Sequence, residues 1–161
     1  MGDDANSVLV AEGGDDLRSD YVAWLRDEGY QVLAAANGLE ALEFARASGP
    51  GVVVMNMDLP VLDGWATARA LRRDPRLHAT KIVALVAARA KESEARAAGC
   101  SAVVRIPARR STLVSVVADF LPTTDLESLD RVKVAQPVGV FRSWLAIARG
   151  LDRPARQSRK S

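Results

Sequence analysis

The chain has 161 residues, 48% of them hydrophobic, with 22 Lys/Arg against 20 Asp/Glu and a single cysteine, Cys100. That length suits one domain with an appendage and provides a real core, and the strand-sized apolar runs exclude a membrane-spanning helix. Up to Leu121 there are 14 Lys/Arg against 16 Asp/Glu, and from Pro122 onward 8 against 4, so the basic excess belongs to the tail.

A lone cysteine leaves no partner for an internal disulfide and fits a reducing, cytoplasmic setting, with Cys100 itself a small, semi-buried residue. The first residues, Met1-Gly2-Asp3-Asp4-Ala5-Asn6, are acidic and polar, unlike a signal peptide. Asn6 also stands where a myristoylation signal wants Ser or Thr. Residues 1–6 therefore read as a flexible lead-in to a domain over 7–122.

Five short apolar runs, 8–11, 31–34, 52–55, 81–86 and 102–105, alternate with helical patterns. They are Val-rich and apolar almost throughout, as strands covered on both faces are, so the expected architecture is a three-layer α/β sandwich around a parallel sheet. The first helix is capped by Asp15 or Asp16, carries Leu17, Tyr21, Trp24, Leu25 and Glu28 at helical spacing, and ends at Gly29. Asn37 caps the second, which runs to about Ala47. The third starts after Asp63-Gly64 and stops near Asp74, since Pro75 disfavours a helical residue before it. The fourth spans 91–98 with Gly99 as its stop. The fifth presents Leu113, Val116, Val117 and Phe120 on one face and ends at Pro122.

The segment Asn56-Met57-Asp58-Leu59-Pro60-Val61-Leu62-Asp63-Gly64 follows an apolar strand, and Val8-Leu9-Val10-Ala11-Glu12-Gly13-Gly14-Asp15-Asp16 joins a second strand to an acidic turn. With the interval from Gly99 to Pro107, these stretches resemble the receiver domain of two-component response regulators over residues 7–121. The resemblance implies a (βα)5 flavodoxin-like fold with sheet order 2-1-3-4-5. It also implies that Asn56 occupies the place of the aspartate that accepts a phosphoryl group. An amide is no such nucleophile, because its nitrogen lone pair is delocalised and its oxygen carries no full charge.

The same resemblance marks the rest of a degenerate pocket. Of the usual acidic pair only Glu12 remains, and Gly13 stands where the metal ligand is expected. Val86 replaces a hydroxyl, Ile106 before Pro107 replaces a lysine, and Val103 replaces the aromatic switch residue. A hard divalent cation wants charged oxygen ligands, so no metal or other cofactor is expected, with Glu12 and Asp58 the only remaining oxygen donors to consider. Asp58 before Leu59-Pro60 reads as a solvated loop residue. Gly13-Gly14 lacks the Lys-Ser/Thr of a nucleotide loop, and His78 lacks a metal-ligand partner pattern.

Residues 123–136 read as a polar linker, 137–151 as an amphipathic helix with Phe141, Trp144 and Leu145 on one side, and 152–161 as a basic disordered tail. That helix packs on the domain, dimerises or docks a partner. It is too small for a sequence-specific DNA-binding output domain. The function expected is a non-enzymatic, phosphorylation-independent interaction module of two-component signalling, with a histidine kinase or another regulator as partner and a homodimer as a further option. The alternatives are phosphorylation by a degenerate route through Asp58, or a small-molecule-binding flavodoxin-like domain.

Overall fold

The computed structural model describes residues 6–122. The expectations for residues 1–5, the linker over 123–136, the helix over 137–151 with Phe141, Trp144 and Leu145, and the tail over 152–161 lie outside them.

Five parallel strands, β1 (Ser7–Ala11), β2 (Gln31–Ala35), β3 (Val52–Asn56), β4 (Lys81–Val86) and β5 (Ala102–Arg105), form one sheet in the order β2-β1-β3-β4-β5. The helices between and after them are α1 (Asp15–Asp27), α2 (Gly38–Ser48), α3 (Gly64–Arg73), α4 (Glu92–Ala97) and α5 (Arg110–Phe120). This is the flavodoxin-like order that the resemblance implies. Parallel register sets Val8 beside both Val32 and Val52, and Asn56 beside Leu85.

Strand alternation divides the Val-rich runs between two cores. Leu9, Val53, Met55, Ile82 and Ala84 meet Ala41, Leu42, Ala68, Leu71 and Ala95 from α2, α3 and α4. Val8, Val10, Val54, Val83 and Leu85 meet Tyr21, Leu25, Leu113 and Val117 from α1 and α5. Each buried Val or Leu contributes about 1.5–3 kcal/mol over an exposed one, so both helical layers are fixed by the sheet rather than by helix propensity.

Helix ends are mostly set by the residues that signalled them. Asn37 caps α2 by accepting from the Glu40 N–H at 2.8 Å, while the Glu40 carboxylate accepts from the Ala36 N–H at 2.8 Å. Asp63 caps α3 in the same way through the Ala66 N–H. Three expectations need correction. Neither Asp15 nor Asp16 caps α1: extended Gly14 does, without a side-chain bond, and both aspartates lie inside the first turn. Leu17 is 44% exposed, because the buried stripe of α1 runs through Tyr21, Val22 and Leu25. The fourth helix is also shorter than expected, a 3-10 turn (Arg89–Lys91) followed by only 6 residues of α4.

Candidate functional site

The carboxyl ends of β1 and β3 bring Glu12 and Asn56 together. Asn56 is the last residue of β3, and its Nδ2 donates to Glu12 Oε2 at 3.0 Å. Its Oδ1 accepts from the Asp58 backbone N–H at 2.8 Å. The two partners define the amide's orientation, since the carboxylate needs a donor and the N–H needs an acceptor.

Glu12 is 4% exposed, so its carboxylate must be satisfied by the protein. Oε1 takes the Gly14 N–H at 2.9 Å and Oε2 takes Asn56. The backbone is held as well: the Glu12 N–H donates to the Ala35 carbonyl at 3.1 Å, and Arg18 Nη1 donates to the Glu12 carbonyl at 2.9 Å. Arg18 in turn pairs with exposed Asp15 at 2.6 Å. Below this loop lies Tyr21, almost fully buried, whose hydroxyl has no hydrogen-bond partner among the described residues. Burial, aided by the carboxylates of Glu12 and Asp20, pushes its ionisation upward.

Gly13 and Pro60 close the other side. A Cβ built on Gly13 would stand 3.0 Å from Pro60 Cδ, so the loops touch where an acidic side chain would have to emerge. The Pro60 carbonyl also accepts from the Leu62 N–H at 2.7 Å. Val61 between them is 76% exposed and sits at φ 70°, a strained backbone for a β-branched residue. Gly64, at the start of α3, has no room for a side chain: a Cβ there would lie 2.5 Å from Met57 Cα. That contact holds the β3 tip in place.

The remaining predicted positions surround this pair without joining it chemically. Val86, 3% exposed, packs into the core shared with α2, α3 and α4. Val103 lies half-buried against the same core, and Ile106 half-buried against the opposite one. Ile106 and Pro107 are joined by a cis peptide bond. Asp58 is exposed, with only its backbone N–H engaged by Asn56.

A divalent cation in this cleft would need several anionic oxygens. Among the described residues no three His, Cys, Asp or Glu side chains are grouped to hold one. Both Glu12 oxygens and the Asn56 oxygen already accept hydrogen bonds from the protein, and Gly13 offers no donor atom. The residues present do not fit a magnesium ion.

The family model for the response regulator receiver domain matches residues 8–118. This chain belongs to the receiver domain family. The polar-differentiation response regulator DivK of Brucella anthropi is 26% identical over 117 residues, which span 71% of this chain and 95% of that protein. The chemotaxis response regulator CheY4 of Vibrio cholerae superposes with TM-score 0.68 at 27% identity, over 71% of this chain and 98% of its own. The receiver domain of the sensor histidine kinase PA1611 of Pseudomonas aeruginosa, described with a magnesium ion coordinated in its active-site cleft, gives TM-score 0.68 at 25% identity, over 73% and 98%.

Sequence reasoning found Asn56, Glu12 and Gly13 but missed what binds them. The Gly14 N–H and Arg18 arise from loop geometry, although Asp15 and Arg18 at helical i,i+3 spacing were readable as a pair.

Proposed function

We propose that this receiver domain is a phosphorylation-independent protein-interaction module of two-component signalling, with no enzymatic step of its own. The observation that carries the reading is the bond from Asn56 Nδ2 to Glu12 Oε2 at 3.0 Å. The amide takes the space where the family's nucleophile would stand and supplies the positive partial charge that the buried carboxylate requires. The site is thereby held in one arrangement by hydrogen bonds within the protein. Where the Pseudomonas receiver holds magnesium, this chain offers a glycine, an amide and a carboxylate already engaged. No lysine stands before Pro107 and no hydroxyl at Val86 to receive a phosphoryl group.

The partner classes that suit this reading are a histidine kinase or another signalling regulator, met through the surface of α4, β5 and α5. The test is intact-mass measurement after incubation with acetyl phosphate and Mg²⁺. The expected outcome is an unmodified chain for both the parent and Asn56→Asp, because that single change restores neither metal ligand, hydroxyl nor cation. A stable phosphoryl adduct on the parent would overturn the proposal. An adduct on the parent lost in Asp58→Ala would establish the route through Asp58.

A further inference from the structure

Charge in this domain is divided between its two halves. Residues 6–63 carry 3 Lys/Arg against 10 Asp/Glu, whereas residues 64–121 carry 11 against 4. Exposed apolar surface follows the acidic half: the large hydrophobic side chains left exposed among the described residues, Leu17, Leu39, Phe44 and Val61, all belong to it. Three of them gather at the corner where the loops after β1, β2 and β3 meet. There Gly13 abuts Pro60, and the Gly38 N–H donates to the Pro60 carbonyl at 3.5 Å. Leu39 and Val61 are the next residues along, and Leu17 lies in the first turn of α1. Asp16 beside Leu17, Glu43 one turn after Leu39 and Asp58 ahead of Pro60 are exposed. Their carboxylates have no hydrogen bond or ion pair with another described residue.

We infer that this corner is covered by the chain's own segment 137–151, with Phe141, Trp144 and Leu145 seated on Leu17, Leu39 and Val61. Those three occupants share one side of the segment at helical spacing. Charge selects the place. Residues 131–161 carry 8 Lys/Arg against a single acid, Asp152, so they are drawn to the acidic half and repelled by the basic one. Reach is sufficient as well. The described chain ends beside the start of β2, where the Tyr30 hydroxyl donates to the Leu121 carbonyl. The corner lies one length of α1 away, about 20 Å for its 13 residues. Residues 123–136 span up to about 45 Å when extended, so the segment reaches the corner of its own domain and needs no second copy. Tethering holds it at an effective concentration of the millimolar order, at which a shallow apolar contact ringed by carboxylates is enough to retain it. The cover goes beyond the interaction-module reading and leaves the surface of α4, β5 and α5 free.

The experiment places a nitroxide on ¹⁵N-labelled full-length protein through Ser143→Cys and reads the broadening of backbone amides. Cys100 stays in place, since at 8% exposed it is closed to the reagent. The amides of Leu17, Leu39 and Val61 are expected to broaden most, and those of Arg105, Thr112 and Val116 least. The effect is expected to weaken with salt. It is expected to vanish when the nitroxide is carried only by unlabelled chains mixed with ¹⁵N-labelled ones. Asp16→Lys with Glu43→Lys is expected to shift the equilibrium roughly tenfold toward the uncovered state, and Trp144→Ser by as much or more. Amides of β3 and β4 are expected to keep their positions in both variants, which reports an intact fold.

Uniformly weak broadening would overturn the inference, as would broadening strongest at α5 or indifferent to both variants. Broadening that survives in the mixed sample would overturn it too, because the occupant would then be the segment of a second copy.

Discussion

At position 56 the difference between an amide and a carboxylate is a difference of one donor. Asn56 gives a proton to Glu12 and receives one from the Asp58 N–H, so both sides are satisfied. An aspartate would still accept from Asp58 but would set a second negative charge about 3.0 Å from a carboxylate that is 4% exposed. Asn56→Asp is therefore expected to lower stability by about 2 kcal/mol at neutral pH. Repulsion raises the folded-state ionisation of the pair above its unfolded value. The bound proton thus favours the folded state at low pH, and the deficit grows as pH rises through the carboxylate range. Urea titrations of parent and variant near pH 4 and pH 7 measure this; an equal deficit at both would show that Glu12 does not feel residue 56. The identity of residue 56 was legible because it closes an apolar run before a Pro- and Gly-marked loop. Its bond to Glu12 was not, because 44 residues of chain separate the two and only the β1–β3 register joins them.

Among the elements, α3 is tied to the segments before β4 and β5 by one arginine that no motif announces. Arg72 Nε donates to the Gly99 carbonyl at 2.8 Å and Nη1 to the Thr80 carbonyl at 2.6 Å. Nη2 reaches Ser101 Oγ at 3.3 Å, which also accepts the Ile82 N–H at 3.1 Å. One side chain thus ties α3 to the turns flanking β4 and β5. Gly99, at φ 100°, is the stop expected for α4, and a Cβ there would stand 2.6 Å from Arg72 Cγ. Arg72→Met keeps most of the stem but strands these acceptors, and an equilibrium unfolding measurement is expected to show a loss of about 3 kcal/mol. A loss below about 0.5 kcal/mol would mean the ties are replaced by water without cost. The strands, the α2 and α3 caps and the glycine stops were readable because each is encoded within a few neighbouring residues. The short α4 and the Gly14 cap were not: local pattern supported a longer helix and an aspartate cap, while the β1–α1 loop gave Gly14 its own partner in Glu12.

For the whole molecule, alkaline pH is the direction in which burial is undone. Burial raises the Cys100 thiol from 9.0 to about 11, and burial together with Glu28 raises the Tyr30 phenol from 10.0 to about 12. The phenol donates to the Leu121 carbonyl at the end of α5. Both groups fold protonated, so their contribution is intact below the unfolded values and is lost as pH climbs through the folded ones. Each removes on the order of 2 kcal/mol over its window. Unfolding midpoints followed from pH 8 upward are expected to fall above pH 9.0, with Cys100→Ala flattening the earlier part of the decline and Tyr30→Phe the later part. Midpoints that stay level through that range would remove the assignment.

The pinned cleft is the claim on which the functional account stands, and amide NMR reads it directly. Mg²⁺ and then acetyl phosphate are added to ¹⁵N-labelled full-length protein while the Gly14 and Asp58 backbone amides are followed, since those amides donate to Glu12 and Asn56. Both signals are predicted to hold their positions at millimolar concentrations of each. A saturable shift of either amide with Mg²⁺, or a second set of peaks after the phosphodonor, would contradict the account.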